Sequence, residues 1–283
     1  MRGKFGQKEY LCTEQQKTTG MRLIATTILA LVTAFATAQE YETLFAKGVE
    51  YIKEQNFESA AESFEEALPL ADGENEKFAL HVNLAYSRMM AGYTDKALES
   101  YSEAIRLHGY DRNLLFQRAA AYMQAARPDD AIEDCNTIIN NNPEDTEAML
   151  MRAEAHMAKG ENGKAQKGFI EVMNREPGNL NARLGLAMTY KNEKLYEKAS
   201  LLIGLLIEEF PGNAALYIAR SDIEREEGLF ELALIDIDKA IEIDPDNAEY
   251  YTLQAILLEN CGKKSAAAKS RNKAELLKSR SIR

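Results

Sequence analysis

From about residue 41 onward, apolar residues recur at the three-and-four spacing of helices, in runs of a dozen or so broken by Gly, Pro, Asn or Asp. No tract alternates apolar and polar residues at the strand period over a useful length, so the pattern predicts helices throughout. The punctuation is periodic: Pro143, Pro177, Pro211 and Pro245 stand 34 residues apart. Such a period is the mark of a tandem repeat. With Thr146 as the first residue of one repeat, successive repeats begin at Tyr41, Phe78, Arg112, Thr146, Leu180, Ala214 and Ala248, and the first interval alone is longer, at 37.

Within this register the twentieth position is Ala in every repeat: Ala60, Ala97, Ala131, Ala165, Ala199, Ala233 and Ala267. The eighth is always small: Gly48, Ala85, Ala119, Ala153, Ala187, Ser221 and Ala255. Two helices cross closely where both present small side chains, so each repeat is predicted to be a helix pair pressed together at these positions. The twenty-fourth position supplies the bulk, as Phe64, Tyr101, Cys135, Phe169, Ile203 and Ile237. Gly92, Gly160, Gly228 and Gly262 mark a turn midway through four repeats. Asp111, Asp145, Asn179, Asn213 and Asn247 precede the later repeats, where their side chains can accept hydrogen bonds from the first helical turn.

On these residues the sequence resembles the tetratricopeptide repeat family over 41 to about 279, nearly the whole chain after its first forty residues. The Trp that the family carries early in the first helix is replaced by Leu44, His81, Leu115, Met149, Arg183, Tyr217 and Tyr251. The resemblance implies an all-α, right-handed α-solenoid of seven tandem helix-turn-helix repeats, each stabilised by its neighbours. It also implies a concave face lined by the first helices through their second, fifth, ninth, twelfth and thirteenth positions. Carried onto this chain, those positions give a partner-binding groove of Phe45, Val82, Tyr86, Met89, Phe116, Met123, Leu150, Met157, Leu184 and Met188. Eight of the ten methionines fall between 89 and 188, and flexible Met side chains suit a surface that adapts to apolar peptides or helices. Packing between neighbouring first helices accounts equally well for the fifth-position residues. Farther along, Asp222, Arg225 and Glu226 add charge to the same face. No repeat carries the Lys and Asn with which the family's co-chaperones grip a C-terminal carboxylate.

The first forty residues follow a different pattern. Residues 23–38, LIATTILALVTAFATA, are uncharged, follow Arg22 and end in Ala-Thr-Ala before Gln39. A basic start, an apolar run too short to span a bilayer comfortably and an A-x-A exit together predict a signal peptide over 21–38, cleaved after Ala38. Residues 1–20 then form an upstream extension, with translation starting at Met1 or Met21. The array occupies 39–283, and its product is expected in the periplasm or secreted. If the leader is retained, the protein becomes a membrane-tethered adaptor.

Composition narrows the chemistry. The chain is 46% hydrophobic and 28% charged, with a net charge of -11 that becomes -14 without residues 1–38. An acidic body repels phosphate backbones, so nucleic acid is not an expected partner. Residues 263–283 reverse the sign, with eight Lys or Arg against Glu275 alone, and a polar closing helix there suits a capping role. His81, His108 and His156 occupy different register positions with no ligand set around them, and Cys135 and Cys261 fit no metal spacing. No catalytic or nucleotide-binding motif occurs, so neither an enzyme nor any metal or small-molecule cofactor is expected. Arg118 with Asp134, and Arg220 with Asp236, fall at the seventh and twenty-third positions and are expected to pair across each helix pair. The sequence thus predicts a non-catalytic scaffold or adaptor that holds a protein partner, with an enzyme subunit as the remote alternative.

Overall fold

The structure, a computed structural model, describes residues 26–27, 33 and 35–281, and among these it contains helices and no strand. The upstream extension and most of the expected leader lie outside the described residues; its last four, 35–38, are helical and run directly into the first repeat. Helix α1 covers residues 35–53 and is followed by α2 (Phe57–Ala67) and a single 3-10 turn, Leu68–Leu70. The helices α3 (Glu74–Met90), α4 (Thr94–His108) and α5 (Arg112–Gln124) complete one compact part, which ends at Ala125. The second part, from Ala126, holds α6 (Pro128–Asn141), α7 (Thr146–Ala158), α8 (Asn162–Arg175), α9 (Leu180–Asn192) and α10 (Tyr196–Glu209). It continues with α11 (Ala214–Glu227), α12 (Phe230–Ile243), α13 (Ala248–Asn260) and α14 (Lys264–Ser281).

Short connections force the chain back on itself, so consecutive helices pack as antiparallel pairs, α3 on α4, α7 on α8, α9 on α10, α11 on α12 and α13 on α14. The helices begin where they do because their caps are built in. Asp111 accepts from the N–H groups of Asn113 and Leu114 at 2.8 and 3.0 Å, and Asp145 and Asn179 each accept one at 3.0 Å. Asn213 and Asn247 do the same for α11 and α13, and Asn56 for α2. Each bond satisfies a backbone donor that the helix itself cannot.

The pairs close through their small residues. All seven Ala at the twentieth position are fully buried, and the eighth-position residues are buried in every repeat. The twenty-fourth-position side chains fill the space beside this contact: Phe64, Cys135, Phe169 and Ile203 are completely enclosed. The fit leaves no slack. A Cβ on Gly48 would lie 2.6 Å from the Phe64 ring, one on Gly185 2.4 Å from the Phe169 ring, and one on Gly168 2.8 Å from the Cβ of Ala153. Cys135 pays for its enclosure electrostatically, since burial above all, with Asp134 beside it, pushes its thiol pKa up to about 12.

The first interval is longer because the Leu68–Leu70 turn and the residues after it are added between α2 and α3, where Glu76 accepts from the N–H of Asp72 at 2.6 Å. The turn inside each repeat is uniform in a way the sequence conceals. Its fifteenth position takes a left-handed backbone in all seven repeats, at Gln55, Gly92, Ala126, Gly160, Lys194, Gly228 and Gly262. Four are Gly, and the other three adopt φ of 60°, 54° and 60° against the preference of an L-residue.

This asymmetry predicts opposite effects at equivalent positions. Lys194→Gly is expected to stabilise the protein by about 0.5–1 kcal/mol, strain relief outweighing the added unfolded-state freedom. Gly160→Ala, whose Cβ would meet nothing within 4 Å, is expected to destabilise it by about 1–2 kcal/mol through backbone conformation alone. Urea unfolding followed by circular dichroism measures both; equal signs for the two variants would contradict the account.

Candidate functional site

The ten groove residues expected from the sequence separate into two groups by what they touch. In the part through Ala125, Phe45 packs inward, its ring 5.6 Å from Phe64 and 5.9 Å from Tyr41. Val82 and Met89 lie half-buried against the core of α3 and α4, around Ala85, Ala97 and Tyr101. Tyr86 is 42% exposed, with its ring edge-on to Phe57 at 6.0 Å. Phe116 and Met123 are half-buried, and the Arg112 guanidinium covers the Phe116 ring at 4.6 Å. In the part from Ala126, Leu150 and Met157 pack against the core formed by Met149, Ala153 and Phe169.

Leu184 and Met188 behave differently. They stand on α9 at the edge of a cavity of about 540 Å³ that opens along the first helices of the last three repeats. Ala215, Ile218 and Ala219 of α11 form its middle, Leu253, Ile256 and Leu257 of α13 its far wall, and Ile237 of α12 its floor. Ile256 remains 44% exposed. The small residues matter as much as the large ones, because Ala215 and Ala219 recess the middle helix between two bulkier neighbours. Of the expected groove, the structure brings Leu184 and Met188 into this cavity, and it adds Ile218 and Ile256, from the fifth and ninth positions of the sixth and seventh repeats. Met149, at 2% exposure, fills core rather than facing any hollow.

A charged cluster closes one side of the cavity. Lys191 on α9 bonds to Asp222 on α11 and lies 3.0 Å from Glu226, while Arg225 holds Asp222 from the other side at 2.6 Å. Partial burial opposes charge on Lys191, but hydrogen bonds to Asp222 and Glu226 outweigh it and raise the ammonium pKa. Burial would likewise raise the Asp222 carboxyl, and Lys191 and Arg225 together bring it below its ordinary value. Lys191 and Asp222 thus each favour the charged form beside an apolar hollow.

Behind the cavity, polar side chains tie helix to helix. Arg220 grips the buried Asp236 through two bonds of 2.6 and 2.7 Å, joining α11 to α12. The seventh position also reaches back to the preceding repeat. Arg118 donates to Ser102 at 3.1 Å, Arg152 to Asn136 at 3.0 Å and Gln254 to Asp238 at 2.6 Å, each over sixteen residues. Arg152, facing Gly168 where other repeats carry a partner, takes Asn136 instead. One carboxylate is left out: Glu224 of α11 has a buried oxygen with no hydrogen-bond partner. Burial first, then repulsion from Asp236, pushes its pKa up to about 7, against the attraction of Arg220. Among the described residues, no cluster of three His, Cys, Asp or Glu is arranged to hold a metal ion.

Comparison with known proteins agrees with the repeated helix pairs. Tetratricopeptide repeat family models match residues 41–72 and 214–247, 116–169, and 237–269. A tetratricopeptide repeat protein from Parabacteroides merdae superposes with a TM-score of 0.74 at 28% identity, covering 84% of this chain and 93% of that one. A double mutant of MamA RS-1 superposes at 0.50 with 16% identity, covering 60% and 96%. MamA from Desulfovibrio magneticus RS-1 reaches 0.49 at 17% identity, covering 59% and 94%. A search of curated proteins gives no match.

Glu224 gives this region a testable pH signature. With its pKa raised from 4.5 to about 7 in the folded state, the native protein holds a proton between those limits that the unfolded chain releases. Stability contributed by this residue therefore falls as pH rises from 4.5 to 7 and stays low above. Glu224→Gln is expected to raise the melting temperature at pH 8, with the gain shrinking as pH approaches 4.5. A gain independent of pH would reject the assignment.

Proposed function

Because the chain belongs to the tetratricopeptide repeat family, a family of protein-interaction scaffolds, we propose that it is a non-catalytic adaptor acting outside the cytoplasm, which grips an apolar peptide or helix of another protein. The observation that carries the reading is the cavity along α9, α11 and α13. Ligand sites are hollows lined mainly by apolar side chains with a few oriented polar groups, and Leu184, Met188, Ile218 and Ile256 beside the Asp222 cluster meet that description. Recessed Ala215 and Ala219 leave room for a bulky side chain between the flanking helices, so the occupant presents Leu, Ile, Met or Phe anchors toward α11. An aliphatic anchor filling such a hollow contributes about 1.5–3 kcal/mol.

Export rests on the leader pattern of residues 21–38, a basic start, an apolar run and Ala-Thr-Ala before Gln39. Packing is compatible with a cut there: residues 35–40 are exposed, and the first core side chain is Tyr41 at 7% exposure. No helix among the described residues is long and apolar enough to cross a membrane. The mature product is therefore expected to begin at Gln39, which N-terminal sequencing of protein from its native host reads directly. A terminus at Met1 or Met21 overturns cleavage and supports a tethered adaptor.

Placing a photo-crosslinking residue at Ile218 in the native host tests the binding reading. A discrete adduct is expected, lost when Leu184→Glu is added, and absent when the probe sits at the exposed Glu99 on α4. Equal labelling from both positions would reject the cavity as the binding face.

A further inference from the structure

The opposite side of the later repeats breaks the pattern of the array. The twenty-second position, on the outer side of each second helix, is exposed in every repeat and charged in five of them: Glu62, Glu99, Glu133, Lys167 and Lys269. In the fifth and sixth repeats it is Leu201 and Ile235, which are 65% and 64% exposed. Leu205 and Leu232 lie one turn away on the same helices, at 47% and 48%. Nothing among the described residues covers these four large apolar side chains, and exposed apolar surface of this kind marks an interaction surface.

The order of residues along α10 says what covers it. Lys198, Leu201, Leu205 and Glu208 follow one another at spacings of three, four and three, forming one exposed stripe: a cation, two apolar side chains, an anion. A second α10 running antiparallel across this stripe sets Leu201 against Leu205 and Lys198 against Glu208, twice over. That is the condition for an isologous twofold contact, in which one patch complements itself. The neighbours fit the same arrangement. On one side stands α12 with Leu232 and Ile235, and on the other α8 offers Ile170, 43% exposed, so a twofold that runs α10 antiparallel to its copy lays each copy's α12 over the other's α12 and each α8 over the other's α8. Nothing among the described residues competes strongly for the two charges: the Lys198 ammonium lies 5.6 Å from the centre of the Tyr190 ring, a weak contact that can coexist with a carboxylate.

We propose that the protein forms a twofold dimer through the outer faces of α10 and α12, with α10 antiparallel to its copy at the centre. This surface lies on the second helices, apart from the cavity on α9, α11 and α13, so the dimer presents two binding faces rather than occluding one.

Light scattering of the full chain across a concentration series, with zero-length carbodiimide crosslinking of a mixture of 14N and 15N protein, tests the proposal. A dimer is expected, with a mixed-isotope Lys198–Glu208 crosslink. Leu201→Glu, at a side chain the fold leaves in water, should give a folded monomer by circular dichroism. Lys198→Glu should weaken the dimer roughly 10-fold by turning two attractive pairs repulsive, and the exchanged pair Lys198→Glu with Glu208→Lys should restore it to within about threefold. A wild-type monomer at about 100 µM, or a dimer indifferent to all of these substitutions, overturns the proposal; the latter result would assign association to another surface, residues 23–38 included.

Discussion

Everything in this chain depends on how closely two helices can approach. An Ala at the twentieth position and a small residue at the eighth let the backbones of each pair come together, and the twenty-fourth-position side chain then fills the wedge beside them. The tolerance is below one methyl group, as the clashes that a Cβ on Gly48, Gly168 or Gly185 would make all show. Close approach fixes the angle of each pair, the angle fixes where the next first helix lies, and three first helices in succession create the hollow beside α11. The binding face is thus a by-product of a packing rule applied repeatedly, with specificity added by what stands at the fifth and ninth positions.

The rule was visible in the letters because it is local and repeated. Seven alanines at one register position and four prolines at a constant spacing located the helix pairs without any knowledge of their coordinates, and the observed starts of α5, α7, α9, α11 and α13 coincide with that register. Other features were hidden for physical reasons. Gln55, Ala126 and Lys194 carry no sign of their left-handed backbone, since the turn imposes it and tolerates the strain. The cavity depends on differences in depth between neighbouring helices, which a single-repeat reading does not rank. Phe45 and Met188 occupy places expected to face the groove, yet one packs against Phe64 and the other borders open space. Periodicity tells which way a side chain points, and only the assembled neighbours tell what it meets.

Charge follows the same division of labour. Pairs that repeat, such as the seventh-position ties to the preceding repeat, hold the array together through single hydrogen bonds at modest net gain. Charges that do not repeat mark the places where this chain departs from a generic array. Asp222, Lys191 and Arg225 gather beside the cavity, Glu224 is stranded next to Asp236, and the twenty-second position loses its charge only on α10 and α12. Departures from the register therefore map what the individual protein has added to an inherited framework.

Cys135 is such a departure inside the core. It stands where other repeats place Phe, Tyr or Ile, in complete enclosure, with its thiol held near pKa 12. A thiol so protected is inert to alkylating reagents while α6 stays packed, and becomes reactive only during excursions that let water in. Each modification event at that sulfur is thus a timestamp of local opening, and the half-buried Cys261 in the last repeat keeps a second clock. Without any engineered label, the chain records how the breathing of an interior repeat compares with the fraying of its end.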